Sequence, residues 1–127
     1  MNIKNTHWTL VVIYVQEKKI QYYDSYGSPG TNYLNAVLRY VGDTARKLRN
    51  TNFRKSEWVT IPGNISIKET PRQYNGYDCG VFVIMYVDFL TDRLPLHFSE
   101  DDMPLFRKKI CANVLRGHLK YSLKFHV

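Results

Sequence analysis

Residues Val81 to Leu90 are apolar nearly all round and rich in valine. A segment without a polar face belongs in the interior of a protein. Periodicity alone does not say whether such a run is a buried strand or a buried helix. The residues that lead into it do. They read Gln73-Tyr74-Asn75-Gly76-Tyr77-Asp78-Cys79-Gly80. Aspartate is a good helix N-cap residue. A cysteine placed just after it gains from the unpaired N–H groups and the dipole of a helix start, which favour thiolate over thiol. On that chemical ground the run is expected to be a helix, capped by Asp78 and carrying Cys79 at its N-terminus. Gly80 would let a substrate backbone approach closely. The bland alternative is a small cysteine buried in a core helix, the commoner fate of a lone cysteine.

The remaining pattern mixes strands with helices. Trp8 to Val15 is dense in β-branched and aromatic residues and reads as a strand. Gln16 to Lys19 is a polar break. Ile20 to Asp24 alternates, with Ile20, Tyr22 and Asp24 on one face and Gln21 and Tyr23 on the other. The two segments together suggest an antiparallel hairpin. Thr31 to Asn50 has helical periodicity, with Leu34, Val37, Leu38, Val41, Ala45 and Leu48 on one stripe. Short strands are expected at Trp58 to Ile61 and Ile65 to Lys68, and a loop at Pro71 to Gly76. Ser99 and Asp102 mark a further helix start, followed by Met103, Phe106, Ile110 and Val114 on a stripe that runs towards Leu119.

A nucleophilic cysteine requires an imidazole base, and the base requires an orienting acceptor. Of the four histidines, His118 and His126 fall in a polar C-terminal region and His97 in a Pro-Leu-His-Phe loop. His7 stands at the mouth of a strand beside Trp8 and is the best of the four. Asp24 ends the next strand on its apolar face, where a carboxylate needs a partner. A hairpin brings the two to the same side. A tight turn at Glu17-Lys18 would nevertheless set Asp24 opposite Val11, so pairing with His7 requires a bulge or strong twist. Otherwise Asp24 is an aspartate that starts a turn.

The chain has 127 residues, the size of one domain. Two cysteines 32 residues apart, Cys79 and Cys111, make neither a disulfide framework nor a metal-ligand spacing. A reducing compartment, cytoplasm or nucleus, is the default for such a chain. No run reaches the roughly 18 apolar residues of a membrane span. The net charge of +7 favours acidic partners, but there is no recognisable nucleic-acid module.

His-Trp at the start of a strand, Tyr22-Tyr23-Asp24-Ser25 at the end of the next, and Gln-x-x-Gly-x-Asp-Cys-Gly over Gln73 to Gly80 together resemble the ubiquitin-like-protein-specific cysteine proteases, the SUMO or sentrin proteases. Pro95 to Lys109, with its Met-Pro-Leu-Phe-Arg-Lys-Lys, is similar to the closing helix of that domain. The resemblance spans roughly residues 5 to 120. It implies an α+β, papain-like fold, with a small, mostly antiparallel sheet packed between helices. It implies Cys79 as nucleophile, His7 as general base and Asp24 as its orienter. Gln73 would donate to the oxyanion beside the Cys79 backbone N–H, and Trp8 would wall a tunnel that admits only a glycine pair. The implied partner is SUMO or another ubiquitin-like protein and its conjugates. The implied reaction is cleavage after the modifier's C-terminal glycines through a thioester, with no metal or organic cofactor.

Family members carry a substantial segment before His-Trp, whereas here six residues precede His7. The expectation is therefore a catalytic domain over residues 1–127 that lacks this segment, with part of its docking surface missing. Three alternatives share the pattern. They are a protease for another ubiquitin-like modifier, an acyltransferase using the same triad, and a non-catalytic module that keeps the modifier site.

Overall fold

The computed structural model describes residues 1–65 and 70–117. The expected strand at Ile65 to Lys68 falls largely on residues outside this set, as do Leu119, His118 and His126. Two strands begin the chain. β1 (Asn2–Ile3) and β2 (His7–Trp8) pair antiparallel, with Ile3 opposite His7. Their turn is closed by Thr6 N–H donating to Ile3 O at 3.0 Å, and both central residues are left-handed, Lys4 at φ 51° and Asn5 at φ 58°. Such a mirror-image turn matches the twist of a hairpin.

β3 (Leu10–Tyr14) and β4 (Lys19–Tyr23) form the expected antiparallel hairpin, but the register differs from the tight-turn expectation. Leu10 faces Tyr23 and Val11 faces Tyr22, so continuing the ladder sets Asp24 beside Thr9 rather than Val11. The cause is the loop. Val15 to Lys18 is a four-residue connection closed by Lys18 N–H to Val15 O, with Lys18 at φ 50°. The two added residues move Asp24 two positions closer to His7.

β5 (Val59–Ile61) pairs parallel with β4, with Ile20 opposite Thr60. The three-stranded sheet is therefore mixed, in the order β3-β4-β5. Parallel neighbours need a long crossover, and here it contains α1 (Thr31–Lys47). Gly30 starts α1 in the left-handed region at φ 63°, where a Cβ would lie 2.3 Å from the Tyr22 ring, so only glycine fits. The helix ends before Leu48, which is exposed rather than part of the buried stripe.

Period-two alternation in β4 divides the interior into two cores. Ile20 and Tyr22 meet Leu34 and Leu38 of α1, with Val11, Val37 and Trp58 around them. Tyr23 points the other way, to Phe82, Met85 and Tyr86 of α2 (Cys79–Thr91) and Met103 and Phe106 of α3 (Met103–Arg116). The Val81–Leu90 run is therefore helical, as expected. Its outer flank is nonetheless open, with Ile84 and Val87 exposed. Ser99 and Asp102 form the expected capping box ahead of α3, Ser99 N–H donating to Asp102 Oδ2 at 2.8 Å. Val114, expected on the buried stripe of α3, is exposed. Among the described residues no helix is long and apolar enough to cross a membrane.

Candidate active site

Cys79 is the first residue of α2, a buried free thiol, and β2 packs against this end of the helix. The first-turn amides of a helix have no intrahelical acceptor and present partial positive charge to whatever lies there. The loop before Cys79 is held by side chains at nearly every residue. Asn75 Oδ1 accepts from Tyr77 N–H at 3.1 Å and Asp78 N–H at 3.0 Å, an Asx turn that steers the chain into the helix. Glu100 Oε2 accepts from the amides of Tyr74 and Asn75. Tyr86 Oη donates to Pro71 O at 2.6 Å. Burial pushes the Tyr86 phenol well above its ordinary range, so it stays a neutral donor there.

Asp78 occupies the N-cap position, but its carboxylate makes no cap; only its carbonyl serves the helix, accepting from Phe82 N–H at 3.0 Å. The side chain instead binds Arg107, whose Nε donates to Oδ1 at 2.9 Å, and Asn75, whose Nδ2 donates to Oδ2 at 2.7 Å. Arg107 also donates to Tyr77 O at 3.0 Å. A charged partner that donates twice to Oδ1 outcompetes a neutral cap amide for that oxygen. Arg107→Ala is therefore expected to lower unfolding stability by about 1–3 kcal/mol in urea titration, because a buried carboxylate loses its cation. Solvent around the half-exposed guanidinium keeps the loss below the roughly 3–5 kcal/mol of a fully buried pair. A change under about 0.5 kcal/mol, the size of an ordinary surface substitution, would contradict this role.

His7 Nε2 donates to Asp24 Oδ1 at 2.7 Å, with the imidazole largely buried and Asp24 almost fully so. The expected pairing is present, and it needs no bulge in the β3–β4 ladder. β2 and β3 are separate strands broken at Thr9, and His7 belongs to the β1–β2 hairpin. The same Asp24 oxygen accepts Tyr26 N–H at 2.8 Å, inside a turn closed by Gly27 N–H to Asp24 O at 2.9 Å. Turn-starting aspartate and partner of His7 are thus one role played by one atom. Gly27 is left-handed at φ 80°, and a Cβ there would overlap Arg72, whose Nη1 donates to Asp24 O at 3.2 Å. With Nε2–H bonded to Asp24, the neutral ring keeps its lone pair on Nδ1, which is buried and has no hydrogen-bond partner among the described residues.

Gln73 is buried beside this turn. Ser25 Oγ donates to its Oε1 at 2.7 Å, which fixes the amide orientation. Its Nε2 donates to Asn75 O at 2.7 Å and to Tyr26 Oη at 3.1 Å, so the N–H groups expected to face an oxyanion are engaged within the loop here. Trp8 is half exposed and lines a cleft of about 760 Å³ with Cys79, Gly80, Ile84, Ile110 and Cys111. A Cβ on Gly80 would meet only Trp8 Cδ1, at an ordinary 3.8 Å. Folding therefore does not demand glycine at this position, whereas an unobstructed cleft beside the thiol does.

The geometry brings His7, Asp24 and Gln73 together around the Asp24–Gly27 turn. It sets Trp8, Gly80 and Cys79 along one cleft at the start of α2. Four contributors were missed from the sequence: Ser25, Tyr26, Asn75 and Arg107. Asn75 carried a signal, since asparagine three residues before an aspartate at a helix start is a common Asx-turn pattern. The other three act across sequence distances that no local pattern records.

A family profile described as the Ulp1 protease family, C-terminal catalytic domain, matches residues 1–117. A putative ubiquitin-like-specific protease 1B of Arabidopsis thaliana is 40% identical over 111 residues, covering 87% of this chain and 31% of that protein. Sentrin-specific protease 2 of Mus musculus is 36% identical over 116 residues, covering 91% of this chain and 19% of that protein. The catalytic domain of a Ulp1-like SUMO protease from Chaetomium thermophilum superposes with a TM-score of 0.71 at 28% identity, over 94% of this chain and 45% of that one. The C-terminal Ulp1 protease domain, solved in complex with Smt3, the yeast ortholog of SUMO, superposes at 0.68 with 26% identity, over 98% and 52%. The chain thus spans under a third of these curated relatives and about half of these solved domains.

Proposed function

The chain belongs to the Ulp1 protease family, C-terminal catalytic domain, and on that premise we propose that it is a cysteine peptidase and isopeptidase acting on SUMO-type modifiers. The observation that carries the reading is the His7–Asp24 pair, with Nδ1 buried and without a hydrogen-bond partner among the described residues, next to Trp8, whose ring lies beside Gly80 at the start of α2. Asp24 holds the tautomer that leaves Nδ1 as base, and the helix start favours the Cys79 thiolate.

Sγ attacks the carbonyl carbon of the modifier's last glycine, and the electron pair moves to oxygen. The Cys79 backbone N–H binds that oxyanion, joined by Gln73 once one of its amide hydrogens leaves its loop partner. The intermediate collapses to a thioester, and the departing amine takes the proton held on His7. Water, deprotonated by His7, then releases the modifier and restores Cys79. Trp8 along the cleft and the missing side chain at Gly80 leave room for a glycine backbone to lie close to the thiol. A nuclear or cytoplasmic, reducing setting suits a free catalytic thiol.

The test is cleavage of a SUMO precursor that extends beyond its glycine pair, beside a ubiquitin precursor, with products identified by intact mass. The expected product is SUMO ending at the second glycine, with ubiquitin uncut. A folded chain that cuts neither, or cuts elsewhere, overturns the reading.

A further inference from the structure

We propose that Tyr26 is a positioning residue that ties the His7 imidazole to the Gln73–Asn75 loop, so that base and oxyanion donor are set as one unit. The inference rests on the peptidase reading and adds a residue to it. The Tyr26 ring lies against the imidazole, with centroids 4.7 Å apart and planes inclined by 33°. Its hydroxyl donates to Asn75 O at 2.7 Å and accepts from Gln73 Nε2 at 3.1 Å. Its backbone N–H donates to the Asp24 oxygen that also takes the His7 proton donor. One residue therefore touches the base, its acceptor and the loop that runs into Cys79.

The ring is half exposed, so core packing does not account for an arrangement with this many fixed polar contacts. The imidazole meets Asp24 at Nε2 and Tyr26 on the ring face, with Arg72 behind them at the Asp24 carbonyl; Cys79 begins the helix that packs against β2. Among the described residues, Tyr26 alone sets an aromatic ring against the imidazole. An aromatic face stabilises the imidazolium over the neutral form. That favours a thiolate–imidazolium pair with Cys79 and so a more reactive thiol.

The test uses the full chain and iodoacetamide, reading the alkylation rate of each cysteine at neutral pH by mass spectrometry. Exposed Cys111 serves as the reference thiol within the same molecule. In the unaltered protein Cys79 is expected to react faster than Cys111, although Cys79 is the buried thiol. Tyr26→Leu should slow Cys79 alkylation roughly two- to fivefold and leave the Cys111 rate in place. Tyr26→Phe keeps the ring, so its alkylation rates should stay put. Its kcat on a SUMO precursor should fall about threefold at unchanged KM through the lost hydroxyl contacts, far less than the roughly 10²–10⁴-fold that a positioned acid–base group itself contributes. An unchanged Cys79 rate in Tyr26→Leu overturns the proposal, as does a Cys79 rate no faster than that of Cys111 from the start. A Tyr26-dependent Cys79 rate in a protein that cuts no precursor would overturn the peptidase reading alone, and the positioning role would stand.

Discussion

Cys79→Ala is expected to reduce modifier cleavage by roughly 10⁴–10⁶-fold, the scale on which removing a nucleophile acts in enzymes that use a base–nucleophile pair. A thiol-directed modifier probe is expected to add to Cys79 and leave Cys111 unlabelled. Accessibility alone predicts the reverse, since Cys79 is buried and Cys111 exposed. The difference lies in where each thiol sits. Cys79 begins α2, where amides without intrahelical acceptors stabilise a thiolate. Cys111 lies inside α3 between Ile110 and Ala112, where the amides are already paired along the helix. Both thiols line the same cleft, so a probe held there meets each of them and its choice reports reactivity. Peptide mapping of the adduct decides the matter. An adduct on Cys111 alone would remove the basis for the proposed mechanism.

Asp24→Asn is expected to keep the fold and lower kcat/KM by roughly 10²–10⁴-fold, the upper end being the loss seen when the orienting aspartate of a serine-protease triad is neutralised. The asparagine oxygen can still accept Tyr26 N–H, so the turn at Asp24–Gly27 keeps its internal bond. Its amide can instead donate to His7 Nε2. The ring proton then moves to Nδ1, and the nitrogen that should act as base is occupied. Circular dichroism and the thermal midpoint would check the fold, and steady-state cleavage the rate. Unchanged turnover in a well-folded variant would mean that the base, or its acceptor, is another group.

Much of the candidate site was legible because its signals are local. A capping-type aspartate, a cysteine and a glycine ahead of an apolar run identify a helix start, and that helix is present. The Ser99–Asp102 capping box is likewise a four-residue pattern and appears as read. The His7–Asp24 pairing was legible only as a possibility, because it turns on the length of the Val15–Lys18 loop and on the break at Thr9. Each added residue in a hairpin loop shifts the partner strand by one position, and a shift of two keeps every side chain on its face while changing what it meets. The alternation was therefore read correctly and the register was not. Asp78 illustrates a second limit. Its residue type and position suit a cap, yet Arg107, 29 residues later, takes the carboxylate.

By itself the sequence determined the helices, the β3–β4 hairpin with the two faces of β4, and the cysteine at the head of α2, but neither β1 nor the break at Thr9, because backbone propensity, period-two alternation and helix-end chemistry act over a few neighbouring residues. Only the tertiary structure decided that β5 runs parallel to β4, that the outer flank of α2 stays open, and that Tyr26 lies on the imidazole. Those outcomes depend on which surfaces meet after the chain has crossed over through α1. The contact energies involved are small compared with the conformational entropy of ordering the chain, and no short stretch of residues records them.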